Sequence, residues 1–214
     1  MLNIKTFVFN PFQENTYVVS DDSNEAMIID CGAFFSEERK ELTDYIDKNN
    51  LKVVHLLSTH GHIDHNFGNN TIADYYNVRP EVHKADSGLM RRLSEQALAF
   101  CNYHLEYDMP EVADYLNDGD IIRFGNHEMK VIHTPGHSPG STVLYIADED
   151  VAFSGDTLFM MSIGRTDLEG GSFSDIQKSL LRMIKELPDN TKVFPGHGPQ
   201  TSIAKEKLHN PYIR

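Results

Sequence analysis

The sequence predicts an α+β fold in which layered sheets are faced by helices. Three observations lead there. Short runs rich in β-branched and aromatic residues alternate with helical patterns, in two rounds of strands followed by helix. The length, 214 residues, suits one domain over 1–214 and is enough to bury a substantial core. No repeat, low-complexity tract or linker-like stretch divides it.

The first thirty residues read as a β meander. IKTFVF, NTYVVS and EAMIID are strand-like, and NPFQE and DDSN separate them as turns. A helix is expected from Ser36 to Asn49, with Ser36 as N-cap and Glu37 and Glu38 near the positive end of its dipole. Leu42, Tyr45 and Ile46 mark its inner face. KVVHLL is a short apolar strand, residues 68–76 can form a helix, and RPEVH reads as another strand. The longest helical pattern covers 86–107, where Leu89, Leu93, Ala97, Phe100 or Cys101, and Leu105 share a face. Phe100, Tyr103 and Tyr107 on it are candidates for a pocket rim. Strands return in DIIRF, EMKVIHT, STVLYIA and DVAFSG, with turns at GN, PGHSPG and DED. A helix over 175–187 follows, with Ser174 and Gln177 spaced as a capping box. KVFPGH is the last strand, and a short helix covers 203–209.

Composition narrows the function classes. Lys and Arg number 19 against 32 Asp and Glu, a formal net charge of −13. Binding a nucleic-acid backbone requires Lys and Arg clusters, and the chain has no basic run, so no nucleic-acid partner is expected. No apolar run nears the ~20 residues that span a bilayer, and no secretory leader pattern opens the chain. The expected location is the cytoplasm, and the expected partner is a small-molecule substrate. Two cysteines, Cys31 and Cys101, stand far apart with no CxxC motif. Both are read as buried packing residues in a reducing compartment.

The chemistry concentrates in LSTHGHIDHNFG, directly after the KVVHLL strand. His60 and His62 are two residues apart, a spacing that places both on one side of an extended backbone. Asp64 and His65 follow in the next turn. One tetrahedral ion takes about four ligands, and four adjacent groups reach a single ion only with strain. The pattern is better satisfied by two ions, which need more ligands from elsewhere. Three further metal-type side chains stand on Gly- or Pro-flanked turns at or near strand ends: His137 in HTPGHSPGS, Asp156 in FSGDTLF and His197 in VFPGHGP. The expected division is His60, His62 and His137 on one ion, and Asp64, His65 and His197 on the other, with Asp156 bridging. This thiolate-free set suits two divalent ions, zinc foremost, and also iron or manganese. His55, His83, His104, His127, His133 and His209 are read as ordinary surface or hydrogen-bonded histidines.

THGHIDH followed by His137, Asp156 and His197 resembles the HxHxDH signature of the metallo-β-lactamase superfamily and its three later ligands, in the same order and over nearly the whole chain. The resemblance implies a four-layer αββα sandwich with a dinuclear metal site among the sheets' loops. GDTLF, IGRTDLEGGS, PGHGP and the terminal TSIAKEKLHNPYI are similar to the small glyoxalase II-like branch, related to hydroxyacylglutathione hydrolase. Full-length glyoxalase II adds a C-terminal helical domain that holds much of the glutathione, and here one short helix follows His197. Arg165 stands where the larger enzymes have a substrate-binding lysine, and Asp167 departs from a tyrosine found nearby. Arg165 is therefore expected to bind substrate, through a carboxylate, or to pair with Asp167 or another acid. Asp30, in IIDCG, sits where the family has an Asp before Gly and is expected to orient a ligand histidine.

The implied activity is hydrolysis of a thioester, such as S-lactoylglutathione or another acyl thioester, by a metal-bridging hydroxide, with Asp64 both ligating and orienting the nucleophile. The alternatives are a mononuclear-iron persulfide dioxygenase and, below it, a lactonase. A metal-binding module without activity ranks last, because the ligand set is complete.

Overall fold

The protein is described by a computed structural model over residues 1–105 and 107–213. The meander expected at the start forms β1 (Asn3–Phe9), β2 (Glu14–Ser20) and β3 (Glu25–Ile29), followed by α1 (Ser36–Lys48) and β4 (Lys52–Leu57). Then come α2 (Asn69–Tyr76), β5 (Pro80–His83), α3 (Ser87–Met90), α4 (Leu93–Cys101) and β6 (Asp114–Leu116). The second half contains β7 (Ile121–Phe124), β8 (His127–His133), β9 (Thr142–Ile146), β10 (Val151–Gly155), β11 (Leu158–Phe159) and β12 (Ser162–Ile163). It closes with α5 (Phe173–Glu186), β13 (Lys192–Pro195), β14 (Thr201–Ser202) and α6 (Ile203–His209).

These strands form two six-stranded sheets, in the orders β1-β2-β3-β4-β5-β6 and β14-β13-β10-β9-β8-β7, with β11 and β12 as a separate hairpin. Alternation along the strands explains the layering. In β2 and β3, Tyr17, Val19, Met27 and Ile29 point between the sheets, where they meet Phe124, Val131, Leu144 and Phe153 of the second sheet. Their neighbours Val18, Ala26 and Ile28 point outward against Leu42 and Ile46 of α1 and Ile72 of α2. The outer face of the second sheet, with Ile132, Val143 and Val193, is covered by Leu180 and Met183 of α5 and Ile203 of α6. Helix, sheet, sheet and helix therefore stack in four layers. Fully burying one such side chain contributes roughly 1.5–3 kcal/mol.

Several local expectations shift. Helix α1 begins with Ser36 as its first helical residue and Phe35 as the cap, because Glu38 Oε2 accepts the Phe34 and Phe35 N–H groups in place of a serine hydroxyl. Helix α5 is capped by Ser172, whose hydroxyl accepts the Asp175 N–H, so the helix starts two residues before the Ser174 capping box predicts. The single helix expected over 86–107 is absent. Asp86 closes a 3-10 turn, α3 and α4 are separate, and Asn102 ends α4 in the left-handed conformation. Within that span, Glu106 lies outside the described residues. The break has a tertiary cause: Asp86 and Gln96 spend their polar atoms on the loop that follows β4. Cys31 is buried as expected, but Cys101 is only partly covered.

Candidate metal centre

Every candidate ligand sits on a loop near one end of a central strand. His60 and His62 follow β4, Asp64 and His65 lie in a one-turn 3-10 helix, and His137 is in the β8–β9 turn. Asp156 follows β10 and His197 follows β13, and these two strands pair in parallel, so their ends point the same way. The small residues between ligands serve approach more than turning. A Cβ on Gly61 would lie 2.7 Å from Leu89 Cβ, and one on Gly196 would lie 2.3 Å from Asp156 Oδ1. Gly61 is not among the glycines with positive φ, so what it provides is room.

The structure brings all seven residues together, in two groups that share Asp156. His60, His62 and His137 form one triad with ligand atoms within 4.8 Å of one another, and Asp64, His65 and His197 form another. His62 Nδ1 and His137 Nε2 are 2.8 Å apart, and His65 Nε2 and His197 Nε2 are 3.2 Å apart. Nitrogens sharing a tetrahedral zinc at normal bond lengths stand about 3.3 Å apart. Asp156 Oδ2 lies 3.5 Å from His137 Nε2 and 3.6 Å from His197 Nε2, between the triads, while its Oδ1 is 3.4 Å from His65 Nε2. Asp64 Oδ2 is 3.3 Å from His197 Nε2.

Hydrogen bonds behind the rings decide which nitrogen faces inward. His137 Nδ1 donates to the Arg165 carbonyl at 2.7 Å, and His197 Nδ1 donates to the Phe12 carbonyl at 3.1 Å. His65 Nδ1 donates to Asp30 Oδ2 at 3.0 Å. Asp30 also accepts from the Thr59 N–H and hydroxyl, and Thr59 Oγ1 in turn lies 3.1 Å from His60 Nδ1. Asp30, held at φ 53°, thus reaches one histidine of each triad, one directly and one through Thr59. In each of these four rings Nε2 is left to face the centre.

The electrostatics of the triads differ. Burial, reinforced by His65 and His137, holds His60 neutral well below the usual histidine range, and burial and His137 bring His62 down to about 4. His65 is buried too, which by itself would lower it, but Asp64, Asp156 and Asp30 outweigh burial and raise it well above 6.5. Burial opposes the Asp64 and Asp156 carboxylates, and the histidines around them still hold both below the usual range. One triad is therefore all imidazole, with His60 and His62 held neutral, and the other combines two imidazoles with the Asp64 carboxylate. Two atoms at the centre, His60 Nε2 and Asp156 Oδ1, are buried with no hydrogen-bond partner. Orphaned acceptors of this kind are costly unless something else fills them, and a cation does so. The residues fit divalent ions.

Residues 9–197 match the Metallo-beta-lactamase superfamily. The chain belongs to that superfamily. Its relatives include an uncharacterized protein of Aquifex aeolicus, 37% identical over 98% of this chain and 96% of the relative. The hydroxyacylglutathione hydrolase GloC of Haemophilus influenzae is 31% identical over 99% of this chain and 98% of its own length. Among solved structures, the BLEG-1 B3 metallo-beta-lactamase superimposes with a TM-score of 0.88 at 32% identity, covering 100% of this chain and 99% of that one. TTHA1623 in a di-iron-bound form gives 0.85 at 30% identity, covering 97% and 99%. The fold is thus the metallo-beta-lactamase αββα sandwich, and the superfamily's hydrolases are metal-binding enzymes.

In this superfamily member the triads open onto a cavity of about 340 Å³, walled by Phe12, Ile63, Phe100, Phe159, Leu168 and Arg165. Of the three rim candidates only Phe100 lines it. Tyr103 packs on Phe34 at 4.9 Å, and the Tyr107 hydroxyl donates to the Phe67 carbonyl. The Arg165 guanidinium forms a two-pronged pair with Asp167 at 2.7 Å on each prong, and both side chains are exposed.

Sequence reasoning missed Asp86. Its carboxylate accepts the Gly61 N–H at 2.8 Å, the Gly140 N–H at 2.6 Å and the Ser138 hydroxyl at 2.6 Å. Gly61 lies between His60 and His62, and Ser138 follows His137, so Asp86 clasps the two loops of the three-histidine triad. Glu14 was missed as well. It is fully buried near Asp30 and His65, with one oxygen unpartnered, and burial raises its pKa well above the usual carboxylate range. The usable signal for both was a carboxylate inside an otherwise apolar or turn-forming stretch.

Proposed function

We propose that this chain hydrolyses an acyl thioester, with two divalent ions, zinc foremost, held by the two triads and Asp156. The observation that carries the reading is the meeting of two complete ligand sets at one carboxylate, at the base of an open cavity. The di-iron form of TTHA1623 supports two ions, and the similarity to GloC supports a thioester. Bound there, two cations would polarise a carbonyl and generate a nucleophile from water near neutral pH.

The chain's own residues do the rest. His60 and His62 offer neutral lone pairs, so no proton need leave these two rings, and His137 completes their triad. Asp64, partly exposed on the cavity wall and ionised, accepts a hydrogen bond from the attacking water and fixes its direction. Asp30 keeps His65 and, through Thr59, His60 in the orientation that binding requires. Arg165 spends Nε and Nη2 on Asp167, which leaves Nη1 to donate to a neutral substrate acceptor at the cavity mouth. No serine or cysteine nucleophile is needed.

The test is hydrolysis of S-lactoylglutathione and of simple acyl thioesters by protein whose metal content has been measured. Turnover of at least one thioester that is abolished by chelation and restored by zinc is the expected result. Absence of turnover on every thioester with both ions bound overturns the reading.

A further inference from the structure

Three phenyl rings from distant parts of the chain converge on the metal cluster, and two of them are largely exposed. Phe12 comes from the β1–β2 turn and is 43% exposed, and Phe100 comes from the end of α4 and is 51% exposed. Phe159 stands on the β11–β12 hairpin with its ring edge-on to His197, centroids 6.1 Å apart. Leu168 and the buried Ile63 complete the wall. A phenyl ring half in water gains little from packing, and a collar of them around polar ligands marks a site that covers an apolar ligand.

Charge points the same way. Among the described residues Arg165 is the one Lys or Arg on this wall, and its fork is taken up by Asp167. Arg92, on the adjoining surface beside Phe100 and Leu168, is likewise taken up by Glu169, at 2.9 and 3.0 Å. A thiol bearing carboxylates near its sulfur would meet Asp167 and Glu169 and, among the described residues, find no unpaired Lys or Arg on these walls. Size agrees too: about 340 Å³ is near the lower end of the roughly 300–1,000 Å³ of ligand pockets.

We propose that the cavity selects a thioester with an apolar acyl chain and an uncharged thiol arm, held by Phe12, Phe100, Phe159 and Leu168. The proposal rests on the thioester reading above. The C-terminal helix makes the collar rigid. Glu206 of α6 accepts the Met161 N–H at 2.8 Å, and Asn210 donates to the Ser162 carbonyl at 3.1 Å, so the hairpin carrying Phe159 is tied to the sandwich.

The test has two arms. In the first, zinc-loaded protein is given lactoyl, acetyl, hexanoyl and phenylacetyl thioesters of N-acetylcysteamine, together with S-lactoylglutathione. kcat/KM should rise at least about tenfold from lactoyl to hexanoyl on the same thiol, given about 0.8 kcal/mol per buried methylene. Phe100→Ala and Phe159→Ala should each flatten that rise while metal content is unchanged. A flat series, or S-lactoylglutathione as the best substrate, overturns the proposal. In the second arm, calorimetry compares the uncleavable thioethers S-hexyl- and S-methyl-N-acetylcysteamine. At least about tenfold tighter binding of the hexyl compound is expected, and equal binding overturns the proposal. If no thioester is cleaved with both ions bound, the hydrolase reading fails by itself, and the thioether comparison still decides what the collar prefers.

Discussion

Asp86 shows how one side chain can set a metal site it does not touch. Its two oxygens gather three donors from the loops that carry His60, His62 and His137, and Gln96 adds a bond to the Gly61 carbonyl from the other side. Burial pushes the Asp86 pKa up, and those three donors offset part of the rise. Replacing Asp86 with Ala strands two backbone N–H groups and a hydroxyl, at about 1–3 kcal/mol for each unsatisfied group. Metal affinity of the three-histidine triad should fall ten- to a hundredfold, as in His62→Ala but less completely, while the Asp64, His65 and His197 triad stays within about threefold. Competition with a chelating dye, read as two binding steps, measures this. The seven candidate ligands stood out in the sequence by their residue types, by their clustering in HGHIDH and by the glycines beside His137, Asp156 and His197. Asp86 was not, because it lies in what reads as one long helix and its partners are 25 and more residues away.

Elements were legible where the residues themselves fix the period. β2, β3, β4 and β9 follow the apolar runs closely, and α1 and α5 appear within two or three residues of their expected ends. Two kinds of element escaped. Very short strands are one: β6 and β14 add to the edges of β5 and β13, and β11 and β12 pair only with each other, so their own sequences carry little signal. The 86–107 segment has helical periodicity, but tertiary bonds from Asp86 and Gln96 outbid it. His55 illustrates a link between elements that composition hides. On β4, its Nδ1 donates to Glu81 of β5 at 2.6 Å and its Nε2 donates to the Arg123 carbonyl of β7 at 3.1 Å, which ties the two sheets together. The Glu81 hydrogen bond, opposed in part by burial, raises the His55 pKa above 6.5. A raised folded pKa gives stability that is full below pH 6.5 and is lost as pH climbs through the folded value. His55→Gln should therefore cost about 0.5–1 kcal/mol at pH 6, a figure reduced for partial exposure, and less at pH 9. Urea denaturation at the two pH values gives the difference, and an equal cost at both contradicts the assignment.

At the scale of the molecule, the sandwich brings candidate ligands from residue 60 to residue 197 to one face, so metal binding there would be coupled to global folding. A ligand at a hundred times its Kd stabilises by about 2.7 kcal/mol, and for a chain of this size each kcal/mol moves Tm by about 2–4 °C. Stripping the ions should lower Tm by about 5–10 °C, and zinc alone should restore it. Among the described residues no helix is long and apolar enough to cross a membrane. The αββα layering was readable from the strand and helix rounds together with the HxHxDH signature. Of the apolar collar only Phe100 was legible, as a rim candidate, because Phe12 and Phe159 lie far from it in sequence and each reads alone as ordinary core.

The central claim is that two ions, one per triad, together carry out thioester hydrolysis. Its most direct test adds zinc stepwise to metal-stripped protein and follows thioester turnover against bound equivalents measured in the same samples. The account predicts little turnover up to one equivalent and full turnover at two. Full turnover at one equivalent, or none at two, would contradict it.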